Sequence, residues 1–331
     1  QRELYEQNIF LRTDCGGKGI CGKCKVHVED SNGQHEVLNS CMITVENDLS
    51  IEIPLETMLS PEVIGKAPVR LPDHFLEALR ESARPAGFGI AVDLGTTTIA
   101  MYLVETSSAE ILASLSLKNP QTLYGDDVMS RIAQVSGDEN NLALMQSMVV
   151  KTIELGATSL AEAQQLNSKD LAEMVVVGNP TMIHLFLGVN PSQIGLIPYH
   201  PVFSESRVTA SRSLGFDRLE LDIHTLPHVS GFLGGDILSA ALAADIDHTK
   251  AGTLLIDIGT NGELILHSES GLYATSCATG PAFEGATLSC GMQAISGAIE
   301  DIVIDNRGAG PRCSLVSRNG SNQQPKPTGI C

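Results

Sequence analysis

The sequence predicts a multidomain α/β protein, in which a small β-rich domain precedes a larger domain made of two similar subdomains. Residues 1–55 carry short β-type runs around a cluster of cysteines. From residue 88 onward, apolar strand-like runs alternate with helical stretches. Two apolar strand-like runs about 164 residues apart end in the same Asp-x-Gly-Thr turn, at Asp93 and Asp257. This repeat predicts two similar subdomains that face each other across a cleft.

Composition and charge exclude several classes of partner. The 331 residues include 39 acidic and 21 basic side chains, which gives a net charge of −18. Nucleic acids and anionic membranes are bound through basic surfaces, so neither is expected as a partner. No apolar run is long enough to span a bilayer, and none resembles a secretory leader. We therefore expect a cytoplasmic protein, and because residue 1 is not Met we expect the natural chain to begin earlier.

The cysteine pattern predicts a metal centre near the N-terminus. Four of the eight cysteines lie close together in the sequence, at Cys15, Cys21, Cys24 and Cys41. Glycines around the first three allow the backbone to wrap tightly and to aim its N–H groups at a negatively charged group. Cysteine thiolates with spacing of this general kind hold 2Fe-2S clusters in plant-type ferredoxins. The alternative is a structural zinc site, but such sites usually pair two Cys-x-x-Cys knuckles, or one knuckle with two histidines.

A proline-rich segment, residues 56–87, separates the cysteine region from the rest of the chain. Proline at this density opposes regular structure, so the segment is predicted to be a linker. One short helix fits inside it, over about Asp73–Arg84, with Asp73 placed to cap its first turn. The prolines in or next to the segment are Pro54, Pro61, Pro68, Pro72 and Pro85.

Residues 88–331 predict a succession of strands and helices. The predicted strands are Phe88–Leu94, Thr98–Val104, Ile111–Leu117, Met174–Val177, Thr253–Asp257, Glu263–His267 and Leu272–Ser276. The predicted helices are Asp126–Val135, Asn141–Leu166, Thr181–Leu187 and Gly235–Ala244.

Both Asp-x-Gly-Thr turns have the composition of a phosphate-binding site. Backbone N–H groups and hydroxyls in such a turn can bind phosphate oxygens, and the Asp can hold Mg²⁺ or orient an attacking water. One such turn is equally well a plain hairpin, but two copies, each between strands, favour a site. Neither copy is a P-loop or a Rossmann fingerprint. The candidate catalytic residues are Asp93 and Asp257, and the candidate phosphate-binding residues are Gly95, Thr96, Thr97, Thr98, Gly259, Thr260, Asn261 and Gly262.

Taken together, these features resemble the superfamily of acetate and sugar kinases, heat-shock chaperone ATPases and actin (ASKHA). Within it the sequence is most similar to the reductive activators of corrinoid proteins, which are iron–sulfur ATPases. The stretches that carry the resemblance are Cys15–Cys24 with Cys41, Ala91–Thr98, Asn119–Gln121, Asp127–Ile132, Val177–Met182, Ile256–Glu263 and Thr279–Gly285.

The resemblance implies a fold for each zone. Residues 1–55 would form a partial β-grasp ferredoxin domain without its N-terminal hairpin, and residues 56–87 a linker. Residues 88–331 would form an actin-like, RNase H-fold ATPase domain that lacks its C-terminus. A fragment truncated at both ends is therefore expected.

The resemblance also implies a function with three cofactors: a 2Fe-2S cluster, ATP and Mg²⁺. The cluster would receive an electron from an upstream reductase or ferredoxin. ATP hydrolysis would couple its delivery to the cob(II)alamin of a partner corrinoid protein, in anaerobic metabolism. Which corrinoid protein, which reduction potential and whether a homodimer forms do not follow from the sequence.

Two other functions are compatible with the residues. One is a non-hydrolytic ferredoxin-type electron carrier, in which the actin-like domain senses nucleotide or docks a partner. The other is a small-molecule kinase with an accessory cluster. A phosphorylated product would indicate the kinase, and ATP turnover stimulated by a corrinoid protein would indicate the activator.

Several further residues have simpler interpretations. Asn179 is expected to cap a helix, with a place in the cleft as the alternative, and His184, among apolar neighbours, is expected to be a buried structural histidine. Arg131 and Asp127, four residues apart on one predicted helix, are expected to form a surface ion pair. Cys277 and Cys290 are expected to be buried free thiols. The loop with Gly280, Pro281, Phe283 and Glu284 is as compatible with a structural turn as with a place in the cleft.

Overall fold

The computed structural model describes residues 4, 11, 19, 24–29, 35–45, 49–54, 57, 87–259, 261–279, 298–304, 311–315 and 329–330. The helix expected over Asp73–Arg84 lies outside these residues, and so do Cys290 and the loop of residues 280–285. Within the described residues, no helix combines the length and the apolar character that a membrane crossing requires.

The cysteine-containing region includes a three-stranded antiparallel sheet. Its strands are β1 (Lys25–Glu29), β2 (His35–Asn39) and β3 (Ser50–Glu52), in the order β2-β1-β3. Side chains alternate along β1, so Val26 and Val28 are buried and pack with Leu11. The β-grasp assignment of residues 1–55 stays a prediction.

A mixed six-stranded sheet forms the first part of the larger region. Its order is β6-β5-β4-β7-β9-β8. Strands β4, β5 and β6 form an antiparallel meander, β4 pairs in parallel with β7, and β7 pairs in parallel with β9. The bounds are β4 Phe88–Leu94, β5 Thr98–Glu105, β6 Glu110–Lys118, β7 Leu171–Gly178, β8 Arg207–Ala210 and β9 Asp222–Thr225.

Helices cover this sheet and enclose the main apolar core. The 24-residue helix α2 packs across β5 and β6 and against α3. The core contains the fully buried Ile99, Met101, Ile153 and Phe186. The bounds are α1 Val128–Gly137, α2 Asn140–Ala163, α3 Pro180–Leu187 and α4 Ser211–Leu214.

Helix α1 differs from its sequence-based interpretation at one residue. The expected surface ion pair is wrong, because Arg131 is 0% exposed. Asp127 instead caps α1, where its carboxylate accepts from the Ser130 N–H at 2.9 Å. The expected role of His184 is confirmed: it is 0% exposed, and its Nε2 accepts from the Val202 N–H at 3.0 Å.

A second antiparallel meander, in the order β10-β11-β12, follows helix α5. Helix α5 packs against both β7 and β10 and so joins the two sheets through a small core that includes Leu233, Ile237 and Ile265. The bounds are α5 Gly235–Ala243, β10 Leu254–Ile258, β11 Asn261–Ser268 and β12 Gly271–Ala278. Three more strands, β13 (Ala298–Ile304), β14 (Pro311–Leu315) and β15 (Gly329–Ile330), pair in the order β14-β13-β15.

The predicted α/β fold class is confirmed, and two of the sheets begin with the same arrangement of strand, turn and strand. Each Asp-x-Gly-Thr turn joins the first two strands of a three-stranded antiparallel meander, at β4–β5 and at β10–β11. The repeat in the sequence is therefore a repeat in the structure.

Candidate functional site

The first turn follows β4 and brings polar groups to the end of the sheet. The Gly95 N–H donates to the Thr98 carbonyl at 2.9 Å and closes the turn. A Cβ at position 95 would lie 2.6 Å from that same oxygen, so only glycine allows the chain to turn this tightly. Asn179, at the N-terminus of α3, donates from Nδ2 to the Thr96 hydroxyl at 3.2 Å. The turn is thus held from a neighbouring element.

The second turn, between β10 and β11, is also closed by the N–H of its glycine, but the bond spans one residue fewer than in the first turn. The Gly259 N–H donates to the Asn261 carbonyl at 2.9 Å, and the Thr279 hydroxyl donates to the Gly259 carbonyl at 2.6 Å. Asp257 and Glu263 are paired across the hairpin. Thr260 lies outside the described residues.

The two turns line one cleft. It contains Asp93, Gly95, Thr96, Thr97, Thr98, Asp257, Gly259 and Asn261 among the predicted residues. Gly262 is buried beside the cleft in β11 and is not among the described lining residues. The side chains of two separate sheets therefore meet where the sequence predicts a site.

Three lining residues were not among the candidate catalytic or phosphate-binding residues: Asn179, Asp236 and Glu263. Asn179 does cap α3, as expected, because its Oδ1 accepts from the Met182 N–H at 3.0 Å. Its amide nitrogen has the second role at Thr96. Glu263 could have been found from its position opposite Asp257 in the hairpin. Asp236 follows two glycines at the start of α5, a weak signal because many helices begin with an acidic residue.

Four carboxylates share the cleft, and burial raises the pKa of each. The pKa of Asp236 rises to about 7, and the negative charges of Glu263, Asp93 and Asp257 add to the effect of burial. The pKa of Asp93 rises to about 6, with Asp257 adding to the effect. The Asp93 side chain is exposed to water where it faces the cleft. Its pKa is therefore raised by the protein that packs around its other sides, and not by complete burial. Among the described lining residues there is no Lys or Arg to offset these charges.

This electrostatic arrangement predicts how stability depends on pH. Asp93 and Asp236 ionise at about 6 and 7 when folded, against a usual value of 3.8. Between about pH 4 and 7 the folded protein therefore binds more protons than the unfolded chain, so its free energy of unfolding falls as pH rises. In EDTA, we expect a higher thermal midpoint at pH 5 than at pH 8. Mg²⁺ should raise the midpoint mainly at pH 8, because carboxylates attract a divalent cation in their ionised form.

Two variants test this pH dependence. Asp236→Asn removes a carboxylate from the cleft, and Asp222→Asn is the control. Asp236→Asn should raise the thermal midpoint at pH 8 and leave it nearly unchanged at pH 5, because the variant lacks one repelling charge. Asp222 is exposed at the start of β9 and is not among the lining residues, so Asp222→Asn should follow the wild type. Equal pH slopes for the two variants would contradict the prediction.

The position of Asp236 depends on a close contact at Gly234. A Cβ at Gly234 would lie 2.4 Å from the Gly178 carbonyl oxygen and 2.9 Å from the Asn179 Cα. Gly234→Ala should therefore push α5 away from the end of β7 and lower the free energy of unfolding by about 1–3 kcal/mol. Gly137→Ala is the control, because a Cβ there meets nothing within 4 Å. Urea titration followed by circular dichroism measures both, and equal values for the two variants would refute this account of the contact.

The cysteine cluster is described in part. The sulfurs of Cys24 and Cys41 lie 3.4 Å apart, too far for a disulfide bond, and Cys24 is buried. Gly19, five residues before Cys24 in the sequence, has a φ of +74°, and its carbonyl accepts from Asn39 Nδ2 at 3.4 Å. Cys15 and Cys21 lie outside the described residues. Cys277 is exposed on β12, so its expected burial is wrong.

Two family models match the region that holds the cleft. The model of the RACo middle region matches residues 88–249, and the model of the C-terminal domain of RACo, the ASKHA domain, matches residues 251–331. The chain belongs to the RACo family. The resemblance to the reductive activators of corrinoid proteins is thereby confirmed. The RACo middle model includes the first turn, and the ASKHA model includes the second.

Named relatives agree with this assignment. The chain is 28% identical to the corrinoid activation enzyme RamQ of Eubacterium limosum, over 89% of this chain and 60% of the relative. It is 27% identical to the [Co(II) methylated amine-specific corrinoid protein] reductase of Methanosarcina barkeri, over 65% of this chain and 40% of the relative. The chain therefore spans about 60% and 40% of these two proteins. A solved structure, a reductive activator for corrinoid, iron-sulfur protein, matches with a TM-score of 0.66 and 28% identity, over all of this chain and 67% of that one.

Proposed function

We propose that this RACo-family chain is an ATP-dependent reductive activator, which passes an electron to the cob(II)alamin of a partner corrinoid protein. The observation that carries the proposal is that the two Asp-x-Gly-Thr turns, here called the phosphate-type turns, line one cleft together with four carboxylates. In the same chain the sulfurs of two cysteines lie 3.4 Å apart. We propose the domain layout of residues 1–55, 56–87 and 88–331, a cytoplasmic location, and an upstream reductase or ferredoxin as electron donor.

The residues of the cleft fit a nucleotide with Mg²⁺. Hard oxygen donors are the ligands that Mg²⁺ prefers, and Asp93, Asp257, Asp236 and Glu263 supply them. A bare polyphosphate would be repelled by four carboxylates, so a divalent cation must accompany it. Gly95 and Gly259 would close the two turns with their own N–H groups, and the backbone N–H groups and hydroxyls of residues 96–98 and 260–262 would bind the phosphate oxygens.

The described cysteines fit an iron–sulfur cluster. Two thiolates bound to one tetrahedral metal, with bonds of about 2.3 Å, have sulfurs about 3.7 Å apart. The observed separation of 3.4 Å between Cys24 and Cys41 is close to this value and far from a covalent S–S bond. Cys15 and Cys21 would complete a four-thiolate set, and a 2Fe-2S cluster held there supplies a one-electron carrier.

The chain's own residues would then act on the nucleotide in three ways. Asp93 and Asp257 would hold Mg²⁺ and orient the attacking water towards the phosphate. A carboxylate oxygen of Asp236 can accept the proton of that water, because burial raises the pKa of this carboxyl above its usual value. Asn179 keeps Thr96 in place through its amide nitrogen while the phosphates bind.

ATP hydrolysis would offset the unfavourable free energy of the electron transfer. Plant-type clusters have potentials near −400 mV, and the corrinoid acceptor of the family is expected to be harder to reduce. Each 100 mV of uphill transfer costs about 2.3 kcal/mol per electron. Closure of the cleft around ATP would be the conformational change that offsets this cost.

The test is an anaerobic assay with purified corrinoid proteins held in the cob(II) state. The chain, an electron donor and Mg²⁺ are added, with ATP, with ADP or with no nucleotide, and conversion to the cob(I) form is followed by absorbance. We expect conversion with ATP and release of ADP and phosphate. Conversion at the same rate without ATP would replace the proposal by the non-hydrolytic carrier. A phosphorylated small molecule in place of free phosphate would replace it by the kinase.

A further inference from the structure

Arg131 is a buried cation directly beneath the first phosphate-type turn. Its side chain is 0% exposed, and its Nε donates to the Gly125 carbonyl at 2.9 Å. From Nη2 it donates to the Thr96 carbonyl, and from Nη1 it contacts the sulfur of Met182 at 3.0 Å. Every hydrogen bond described for this guanidinium goes to a neutral acceptor. Burial lowers the pKa of Arg131 to about 9, with Asp126 and Asp127 opposing the shift, so the side chain remains charged at neutral pH.

The carbonyls on the inner side of the turn are all held by buried groups. Asn119 Nδ2 donates to the Gly95 carbonyl at 2.8 Å, and the Asn119 N–H donates to the Thr97 carbonyl at 2.8 Å. Arg131 holds the Thr96 carbonyl between them. Three consecutive carbonyl groups therefore point into the protein, towards donor groups of Asn119 and Arg131, two residues that are 0% exposed.

This arrangement fixes the direction of the N–H groups. In a trans peptide unit the N–H points opposite to the C=O, and the peptide bonds of this turn are trans. When the Thr96 carbonyl is held inward, the N–H of Thr97 points the other way, to the side of the cleft. By the same argument, the inward carbonyls of Gly95 and Thr97 direct the N–H groups of Thr96 and Thr98 to the side of the cleft. Successive N–H groups that converge in this way form a binding site for anions.

A second layer of buried polar groups keeps Arg131 itself in place. Gln121 Oε1 lies 3.5 Å from Arg131 Nη1 and 3.4 Å from Asn119 Nδ2, and Gln121 Nε2 donates to the Met145 carbonyl at 3.1 Å. The network therefore links the turn to α2 through Met145 and to α3 through Met182. A fully connected buried network of this kind holds a single geometry.

From this geometry we propose that Arg131 is a positioning residue for nucleotide phosphates. It orients the Thr96–Thr97 peptide towards the phosphate and places a fixed positive charge behind a cleft that is lined by four carboxylates. This inference rests on the proposed function, because it takes the anion in the cleft to be the polyphosphate of MgATP. Arg131 touches neither the phosphate nor the reacting atoms and acts through the turn.

The test compares Arg131→Lys and Arg131→Gln with Arg212→Gln. Arg212 is a matched control, since it also donates to a backbone carbonyl, that of Asp217 at 2.6 Å, and lies on the exposed side of α4. Calorimetric titration measures the Kd of MgATP and, separately, of Mg²⁺ alone. We expect each Arg131 variant to weaken MgATP binding by at least about tenfold. Mg²⁺ alone should bind as in the wild type, because the carboxylates are intact.

The binding of Mg²⁺ alone separates positioning from a general role in folding. If MgATP binds to folded Arg131→Lys within about twofold of the wild type, the inference is overturned. Equal loss of Mg²⁺ and MgATP binding would also overturn it, since the whole cleft would then be disturbed. Arg131→Lys decides the matter if Arg131→Gln does not fold. A wild-type chain that binds Mg²⁺ but no MgATP would instead refute the ATP dependence under the proposed function, and the inference with it.

Discussion

Replacing Cys24 by serine is expected to remove the iron from the protein and to abolish reduction of the corrinoid partner. Cys24 is buried, with its sulfur 3.4 Å from that of Cys41, so no other described thiol can take its place. A serine hydroxyl stays protonated at neutral pH, whereas a metal ligand must be deprotonated. We expect about two irons and two sulfides per wild-type chain and nearly none in Cys24→Ser or Cys41→Ser. Iron and sulfide analysis, with EPR after dithionite reduction, measures this.

Cys277→Ser is the matched control for this prediction. Cys277 is an exposed free thiol on β12, and its loss should leave the iron content unchanged. The prediction is wrong if Cys24→Ser retains its iron. Zinc in the wild-type protein would remove electron transfer from the proposed function altogether, and the cysteines would then form a structural site.

Replacing Asp257 by asparagine is expected to lower Mg²⁺-dependent ATP hydrolysis by about 10²–10³-fold. Asparagine keeps the shape of the side chain but removes the charge that would hold the metal and orient the attacking water. Asp257 lies at the end of β10, opposite Glu263 and within the same cleft as Asp93. Asp93→Asn should have a similar effect. Release of phosphate from ATP over a range of Mg²⁺ concentrations gives the measurement.

The two predictions together distinguish the residues that hold the iron from the residues that support ATP hydrolysis. Asp257→Asn should keep its full iron content, and Cys24→Ser should keep basal ATP hydrolysis. Asp222→Asn, with its side chain exposed on β9, should retain both properties. Hydrolysis by Asp257→Asn within about threefold of the wild type would show that Asp257 does not hold the metal.

Much of the cleft could be predicted because its signals are local. An apolar strand, an Asp and a small-residue turn are adjacent in sequence, so the turns at Gly95 and Gly259 follow from short-range rules. Asp236 could not be found in this way. It reaches the cleft because α5 lies between β7 and β10, and that packing joins residues far apart in the sequence.

Arg131 shows how a local rule can mislead. The spacing of four residues from Asp127 predicts a helical ion pair, and charged residues usually lie at the surface. However, Val128 and Val135 are buried, and the helical period places Arg131 on the same face. The apolar face of α1 was readable from the sequence, but the buried acceptors that make a cation tolerable there were not.

The parallel pairing of β4 with β7 has a consequence for how the protein reaches its native state. The hydrogen bond from Asn179 to Thr96 joins residues 83 positions apart, with strands β5, β6 and β7 and helices α1 and α2 between them. Contacts of such sequence separation form late, because the intervening chain must be ordered before its ends can meet. The first turn can therefore be complete only after β6, α1 and α2 have docked. Nucleotide affinity during refolding would accordingly appear in step with the last structural transition, and would serve as a probe of complete folding.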